Sequence, residues 1–572
     1  MTDPQIVLAG RVQQALGTAF GQDYASEDPL IRPSQFADYQ ANVALSLAKR
    51  LRRAPREVAQ AVADAMDLTD VTVEISGPGF LNMTLSDDWI ATQAVRQLAD
   101  DRLGVPQSAP KSIVIDYSAP NAAKEMHVGH LRTTIVGDTL ARLHEHVGHD
   151  VTRQNHLGDW GTPFGMLIEH LIDIGEGEAL ARLAAGDGNA FYQEARHKFD
   201  DDRTFEERSR SRVPLLQGGD PATLRLWREF IEYTKRYFNH VYNVLGVTLT
   251  DDHIAGESMY NTMLADVCDE LESSGVAQIS EGALCVFPPG FTGRDGTPLP
   301  LIIRKSDGGY GYATTDLAAI RYRVRDLKSD RILYVVGATQ SLHFQMVFAA
   351  ARMAGWLHDD VKAEHVQIGS VLGADGKMFK TRSGASVKLT ELLDEAVGRA
   401  ETVIAERYDD PALRKEIARK VGIGGVKYAD LSVSHDSEYV FDFDRMLALT
   451  GNTGPYLQYA TARIRSIFRR GELDPAGFPG PIVLGEPSER ALALQLLGFG
   501  AIVETVTEAS EPHRLCNYLF DLAQAFTSFY ESCPVLKAEE PVRASRLALS
   551  ALTLRVLVQG LDLLGIEVPE RM

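Results

Sequence analysis

The chain has 572 residues, 45% of them hydrophobic and 24% charged; these ordinary globular values exclude disordered, collagen-like and disulfide-stapled classes and leave room for about three to four domains. Its formal charge of −20, from 58 basic and 78 acidic residues, argues globally against nucleic-acid binding, which leaves a basic footprint. No apolar run reaches the ~18 residues of a membrane helix, MTDPQIVLAG lacks the basic start of a secretory signal, and Cys268, Cys285, Cys516 and Cys533 form no CxxC pair, so neither membrane nor structural zinc is expected and the compartment is reducing and cytoplasmic.

In chain order, residues 1–110 read as a small α+β domain. A helical stretch near 35–66 precedes strand-like VTVEISG (71–77) and FLNMTL (80–85), and Pro106 and Pro110 punctuate a linker. SIVIDYS (112–118) is the apolar β-branched run of a buried parallel strand. A helix follows near 127–144, with Leu131, Ile135, Leu140 and Leu143 at helical spacing. RILYVVG (331–337) and HVQIGSV (365–371) alternate with helical patterns, which predicts a doubly wound parallel sheet over 111–390. A charge-rich helical insertion occupies about 176–250. Residues 391–440 form a connecting helical segment without strand alternation. Residues 441–572 form a helical bundle, in which Leu515, Leu519, Leu522, Phe526 and Phe529 recur every three to four residues. Three stretches, 45–60, 411–427 and 441–470, are locally basic. Each alone reads as a solvated helix face, but three on an acidic chain suit a polyanionic partner.

Chemistry concentrates in DYSAPNAAKEMHVGHLRTTIVGD (116–138), where a strand ends, turns and starts a helix at His127-Val128-Gly129-His130. Ligands of open parallel sheets bind at the carboxyl ends of strands, and a helix start there offers free N–H groups to a phosphate. Two imidazoles at that point can donate to phosphate oxygens as charge develops, and Gly129, without a Cβ, would let an adenine lie against the backbone. The HxxH spacing supplies only two metal ligands, so a protein-coordinated metal is not expected. GADGKMFKTRSG (373–384) is a Gly- and Lys-rich loop after a strand, with Lys377 and Lys380 suited to a moving triphosphate. No GxGxxG follows a strand and no GxxxxGK[ST] loop is present.

HVGH followed about 250 residues later by KMFKTRSG resembles the HIGH and KMSKS signatures of class I aminoacyl-tRNA synthetases. SAPNAAKEMHVGHLRTT, ADYQANVALSLAK (37–49), GDWGTPFGMLI (158–168), GYGYATTDLAA (309–319), TGPYLQYATARI (453–464) and LLGIEVPERM (563–572) resemble the arginine-specific family along nearly the whole chain. The resemblance implies a Rossmann-type catalytic domain, an N-terminal domain that meets the tRNA D-loop and a helical anticodon-binding domain. It implies activation of L-arginine with ATP and Mg²⁺ as the substrate complex, with no zinc or organic cofactor. Transfer is then to the 2′-hydroxyl of the terminal adenosine of the arginine tRNA, by a cytoplasmic monomer. His127 and His130 match the histidines that stabilise the α-phosphate, and Lys377 and Lys380 the lysines that hold pyrophosphate. Lys124, three residues before His127, is a further candidate for the phosphates. Phe379 and Thr381 depart from the two serines of the class pattern. For arginine, Tyr312 and Asp316 match the residues facing the guanidinium, Asp116 is a second acid, and Asn121 and Gln340 match the residues holding the α-amino and α-carboxyl end. Phe80 and Asn82 are candidates for the D-loop, and Tyr456, Tyr459, Arg463 and Met572 for the anticodon side. A nucleotidylyltransferase without tRNA needs only the sheet domain. A catalytically silent tRNA-binding paralogue could lose His127, His130, Lys380, Asp316 or Gln340 freely, and all are present.

Overall fold

The computed structural model describes residues 3–122, 124–373, 375–379, 387–405, 407–477 and 480–572. It divides into two compact units: Met1–Gln107 with Leu449–Asp562 and Glu567–Met572, and Ser108–Ala448 with Leu563–Ile566.

The first unit opens with α1 (Pro4–Phe20). Asp3 starts this helix by accepting from the Ile6 amide at 3.0 Å, and Gly21 stops it at φ +102°. An antiparallel sheet of β1 (Ile31–Pro33), β2 (Tyr39–Ala41), β3 (Val71–Ser76) and β4 (Phe80–Leu85) runs in the order β1-β2-β4-β3. Helices α2 (Val43–Leu51), α3 (Pro55–Ala65) and α4 (Asp87–Ala99) complete this segment. The stretch near 35–66 is therefore not wholly helical: its first residues lie on β2, where Tyr39–Ala41 alternate against Leu81–Met83.

The second unit is built on four parallel strands in the order β11-β10-β5-β6: β5 (Ser112–Asp116), β6 (Asp150–Gln154), β10 (Arg331–Gly337) and β11 (Lys362–Ile368). Ile113–Ile115 and Ile332–Val335 are buried because the central strands are covered on both faces. Between β5 and β6 runs α5 (Val128–Val147). After β6 come α6 (Thr162–Ile174), α7 (Glu176–Ala184), α8 (Gly188–Asp201), α9 (Arg203–Gln217) and α10 (Pro221–Leu245), which share a core of Phe164, Phe191, Phe205 and Phe230. Next are α11 (Glu257–Tyr260), α12 (Leu264–Ser273), an antiparallel trio β7 (Ala277–Ser280), β8 (Ala283–Val286) and β9 (Leu301–Arg304), and α13 (Tyr312–Arg325). α14 (Ser341–Met353) joins β10 to β11. The unit ends with β12 (Val371–Leu372), α15 (Leu389–Ile404), α16 (Pro411–Leu431), β13 (Tyr439–Val440) and α17 (Phe443–Met446). β13 pairs in parallel with β12, so one short strand does lie beyond residue 390. Its two residues are too few to alternate visibly in the sequence.

The chain then returns to the first unit as α18 (Gly454–Arg470), α19 (Pro487–Leu497), α20 (Phe499–Ala509), α21 (Pro512–Ser532) and α22 (Val542–Leu563). Arg490 on α19 joins the two parts of this unit with a fork to Asp38 (2.6 and 2.8 Å) and a bond to Asp87 at 2.7 Å. Gln97, fully buried, donates to the Leu496 carbonyl at 2.8 Å. Contrary to expectation, one stretch, Pro487–Ala509, is long and apolar enough to cross a membrane. It is α19 and α20 meeting at Gly498, and its Leu492, Leu496, Phe499 and Val503 fill the bundle core. All four cysteines are buried free thiols.

Candidate active site

The start of α5 is a reciprocal cap. The Gly129 amide donates to His127 Nδ1 at 3.0 Å, and the His127 amide donates to His130 Nδ1 at 3.1 Å. A ring nitrogen that accepts from a backbone N–H carries no proton, so both neutral imidazoles hold theirs on Nε2. The rings lie 4.0 Å apart between centroids. Burial, reinforced by Lys124, holds His127 below the usual imidazole range; burial, then His127 and Lys124, push His130 down to about 3. At neutral pH the pair is thus uncharged, and each ring keeps an Nε2–H to donate.

This arrangement corrects one expectation. The first turn of α5 offers no free N–H groups: Val128 donates to the Val387 carbonyl at 3.2 Å, Gly129 to the His127 ring and His130 to the His127 carbonyl at 2.8 Å. Gly129 also makes room for the neighbouring ring, since a Cβ would stand 2.8 Å from His127 Cε1 and 2.9 Å from Nδ1.

The lysine loop is built on β12. Leu372 bridges Met378, Gly373 donates to the Lys377 carbonyl at 2.8 Å, and Gly376 turns at φ +70°. Phe379, which departs from the class pattern, stacks on Phe441 at 5.1 Å and donates its amide to the Val371 carbonyl. Lys377 is exposed; Lys380 and Thr381 lie outside the described residues. Beyond the loop, the chain rejoins the histidines: Leu389 donates to the Met126 carbonyl at 2.9 Å, and Lys388 pairs with Glu125 at 3.0 Å. One turn into α5, buried Arg132 pairs with Asp430 at 2.7 Å and donates to the carbonyls of Gly369, Ser434 and Ser437. It ties the helix to the segment that carries β13. Lys124 is exposed, with Nζ 4.6 Å from the Tyr192 ring centroid on α8.

Of the arginine candidates, Asn121 bridges Gly158 so tightly that a Cβ there would stand 2.5 Å from Asn121 Oδ1. Tyr312 opens α13 and is 77% exposed; Asp316 sits one turn on and bonds His343 Nε2 at 2.6 Å. Gln340 is exposed, immediately before α14. Asp116 is held at one oxygen, while its buried Oδ1 accepts no hydrogen bond among the described residues. Arg323, fully buried, donates to its Oδ2 at 2.7 Å and to Gln154 at 2.6 Å. Arg323 lies 207 residues away, so this pairing had no local signal. Sequence reasoning also passed over Glu257 on α11. Burial, then Asp159 and Asp316, push its carboxyl up to about 8.

In the first unit, Phe80 is half-buried over the turn at Gly77. Asn82 is buried, with its amide engaged by Gln40 at 2.7 Å and Ser76 at 3.0 Å. Its edge is therefore already used within the sheet. Tyr456 meets Phe520 and Gln524, Tyr459 is exposed, and Arg463 lies over the Tyr530 ring at 4.4 Å. The tail toward Met572 rests on α18 through bonds from Arg465 to the Pro569 carbonyl and from Arg469 to the Glu570 carbonyl. Some cations of the basic stretches are engaged internally: Arg50 pairs with Glu27, Arg414 with Glu401, and Lys427 is buried on the Leu245 and Gly565 carbonyls.

A parallel sheet with paired histidines at the first strand-to-helix turn, tethered to a lysine loop, defines a class I aminoacyl-tRNA synthetase catalytic domain. The family model for "tRNA synthetases class I (R), catalytic domain" matches residues 93–443. Models for the "Arginyl tRNA synthetase N terminal domain" and the "DALR anticodon binding domain" match 7–85 and 457–572. The arginine–tRNA ligase of Thermobifida fusca (strain YX) is 66% identical over 577 residues, with all of both chains covered, and that of Frankia casuarinae is 52% identical over 99% of each. Solved arginyl-tRNA synthetases from Plasmodium falciparum and Thermus thermophilus superpose with TM-scores of 0.84 and 0.81, at 28% and 25% identity, over 99% and 100% of this chain. The chain belongs to the arginyl-tRNA synthetase family.

Proposed function

We propose that the protein ligates L-arginine to its tRNA in two steps, with the reciprocally capped histidine pair as the centre of the first. The carrying observation is that both Nδ1 atoms accept backbone N–H groups, which leaves two uncharged Nε2–H donors side by side at the carboxyl end of β5. An arginine carboxylate oxygen attacks the α-phosphorus of ATP bound as its Mg²⁺ complex. The bond to the pyrophosphate oxygen breaks, and the electron pair leaves with pyrophosphate. His127 and His130 donate to the α-phosphate oxygens as they gain charge, and Lys377 and Lys380 hold the leaving group, with Lys124 as a third cation. This is electrostatic and positioning catalysis, in which one such donor is worth on the order of 10²–10³ in rate. The 2′-hydroxyl of the terminal adenosine then attacks the arginyl carbonyl, and AMP departs.

Asp316 takes the guanidinium, because a planar fork of N–H donors pairs best with a planar carboxylate. Tyr312, exposed on the same face, packs over it, and Asn121 and Gln340 hold the α-amino and α-carboxyl end. The buried pairing of Asp116 with Arg323 argues for a supporting part for that acid. The first unit engages the tRNA, with Phe80 on the D-loop side and Tyr456, Tyr459, Arg463 and Met572 on the anticodon side. The four buried free thiols suit a reducing cytoplasm. We further propose a monomer that needs bound tRNA for activation. Arginine-dependent ATP–pyrophosphate exchange, run with and without the arginine tRNA, tests this. Exchange only with tRNA supports the full reading, and exchange without it removes the tRNA requirement. No exchange by folded protein that still binds tRNA refutes the catalytic assignment.

A further inference from the structure

Two elements converge on the arginine candidates. α13 carries Tyr312 and Asp316, Gln340 caps the start of α14, and His343 lies in its first turn three residues on. The contact that joins them is His343 Nε2 to Asp316 Oδ2, at 2.6 Å. The carboxylate only accepts, so the imidazole donates and its proton is on Nε2. His343 is itself held. Its ring stands edge-on to Phe344 at 5.4 Å, and Phe344 is buried against Tyr334 at 4.9 Å and His365 at 5.0 Å. The donor therefore springs from a packed platform.

We propose that His343 is a positioning residue for the arginine site: it fixes the Asp316 carboxylate from one side through one lone pair of Oδ2 and leaves Oδ1 and the other lone pair of Oδ2 to the fork of the substrate guanidinium. This rests on the reading that Asp316 binds the guanidinium. A carboxylate fixed by one such bond presents its remaining lone pairs in one plane, and fork recognition needs that orientation more than it needs charge alone. Without His343 the side chain recovers its rotamers, and each binding event must order it again.

Steady-state aminoacylation by the full chain with tRNA reads this out. His343→Ala should raise the KM for arginine about tenfold, the worth of one hydrogen bond to a charged group, with the KM for ATP within about twofold. His343→Gln, whose amide can donate from a similar position, should recover most of the loss. His343→Leu keeps the apolar contact with Phe344 but not the donor, and carries the same test if the alanine variant does not fold. An unchanged arginine KM, or equal rises for arginine and ATP, overturns the inference. A lower arginine KM also overturns it, by showing that the imidazole competes with the guanidinium. Asp316→Asn separates the two readings. If it leaves the arginine KM unchanged, the assignment of Asp316 is wrong. If it raises that KM while His343→Ala does not, only the positioning role fails.

Discussion

Gly129→Ala should separate activity from stability. A Cβ at this position would lie 2.8 and 2.9 Å from His127 Cε1 and Nδ1, closer than such atoms approach, so the imidazole must swing away. Two stability effects then oppose each other. Losing the His127 cap on the Gly129 amide costs about 1 kcal/mol. Alanine in place of glycine in a helix returns up to about 1 kcal/mol. The net change in unfolding free energy is therefore close to zero. Activity has no such compensation. The displaced ring no longer presents Nε2–H where the α-phosphate gains charge, and one donor lost costs on the order of 10²–10³ in rate. The measurement pairs ATP–pyrophosphate exchange with a urea unfolding curve on the same preparation. A variant within about threefold of the parent in exchange would refute the assignment of the capped ring as a donor. A fall in both exchange and stability would refute the compensation argument.

Other perturbations follow from the same geometry. Gly158→Ala should push Asn121 aside, because its Cβ would stand 2.5 Å from Asn121 Oδ1; the arginine KM should rise about tenfold with little change for ATP, and equal rises would count against a role for Asn121 in arginine binding. Arg323→Met leaves the Asp116 carboxylate buried without its partner and should cost about 3–5 kcal/mol in urea unfolding, most of it recovered in the double variant with Asp116→Leu. Glu257 is held protonated when folded, with its carboxyl raised from the ordinary range to about 8. Its contribution is therefore fully present below about pH 4.5 and is lost as pH rises to about 8. Glu257→Gln should gain stability relative to the parent across that window, by at most about 1.4 kcal/mol per pH unit; a flat difference between the two unfolding profiles would show that Glu257 ionises normally.

The turn that carries the histidine pair was legible because an apolar β-branched run and a helical period flank HVGH, and the loop after β12 because glycines follow a strand. The central strands were legible because burial on both faces forces unbroken apolar runs such as Ile113–Ile115. Where the outcome hung on a distant partner, local patterns were silent. Asp116 gave no hint of its partner Arg323, 207 residues away, nor Asp316 of His343, 27 residues on. Free helix-start amides were expected by general rule, but here the Val387 carbonyl, the His127 ring and the His127 carbonyl accept from them. β6 was missed because Asp150, Thr152 and Arg153 make an edge strand too polar to stand out. The union of the first and last segments in one unit rests on contacts such as Arg490 with Asp38, 452 residues apart, which no window of sequence can display.

Many enzymes fix a histidine's reactive nitrogen with a dedicated carboxylate behind the ring. Here the backbone does that work. The bonds that begin α5 also choose where each proton sits, so no further side chain is needed to hold the donors in register. Nucleating the helix and arming the site become a single event. If the first turn frays, the cap opens, both rings return to mixed tautomers with solution-like proton affinity, and the paired donors cease to exist as a unit. With the pair in the role proposed for it, the first step of the chemistry is only as persistent as one helical turn, and a partly folded chain, however compact elsewhere, loses both donors together.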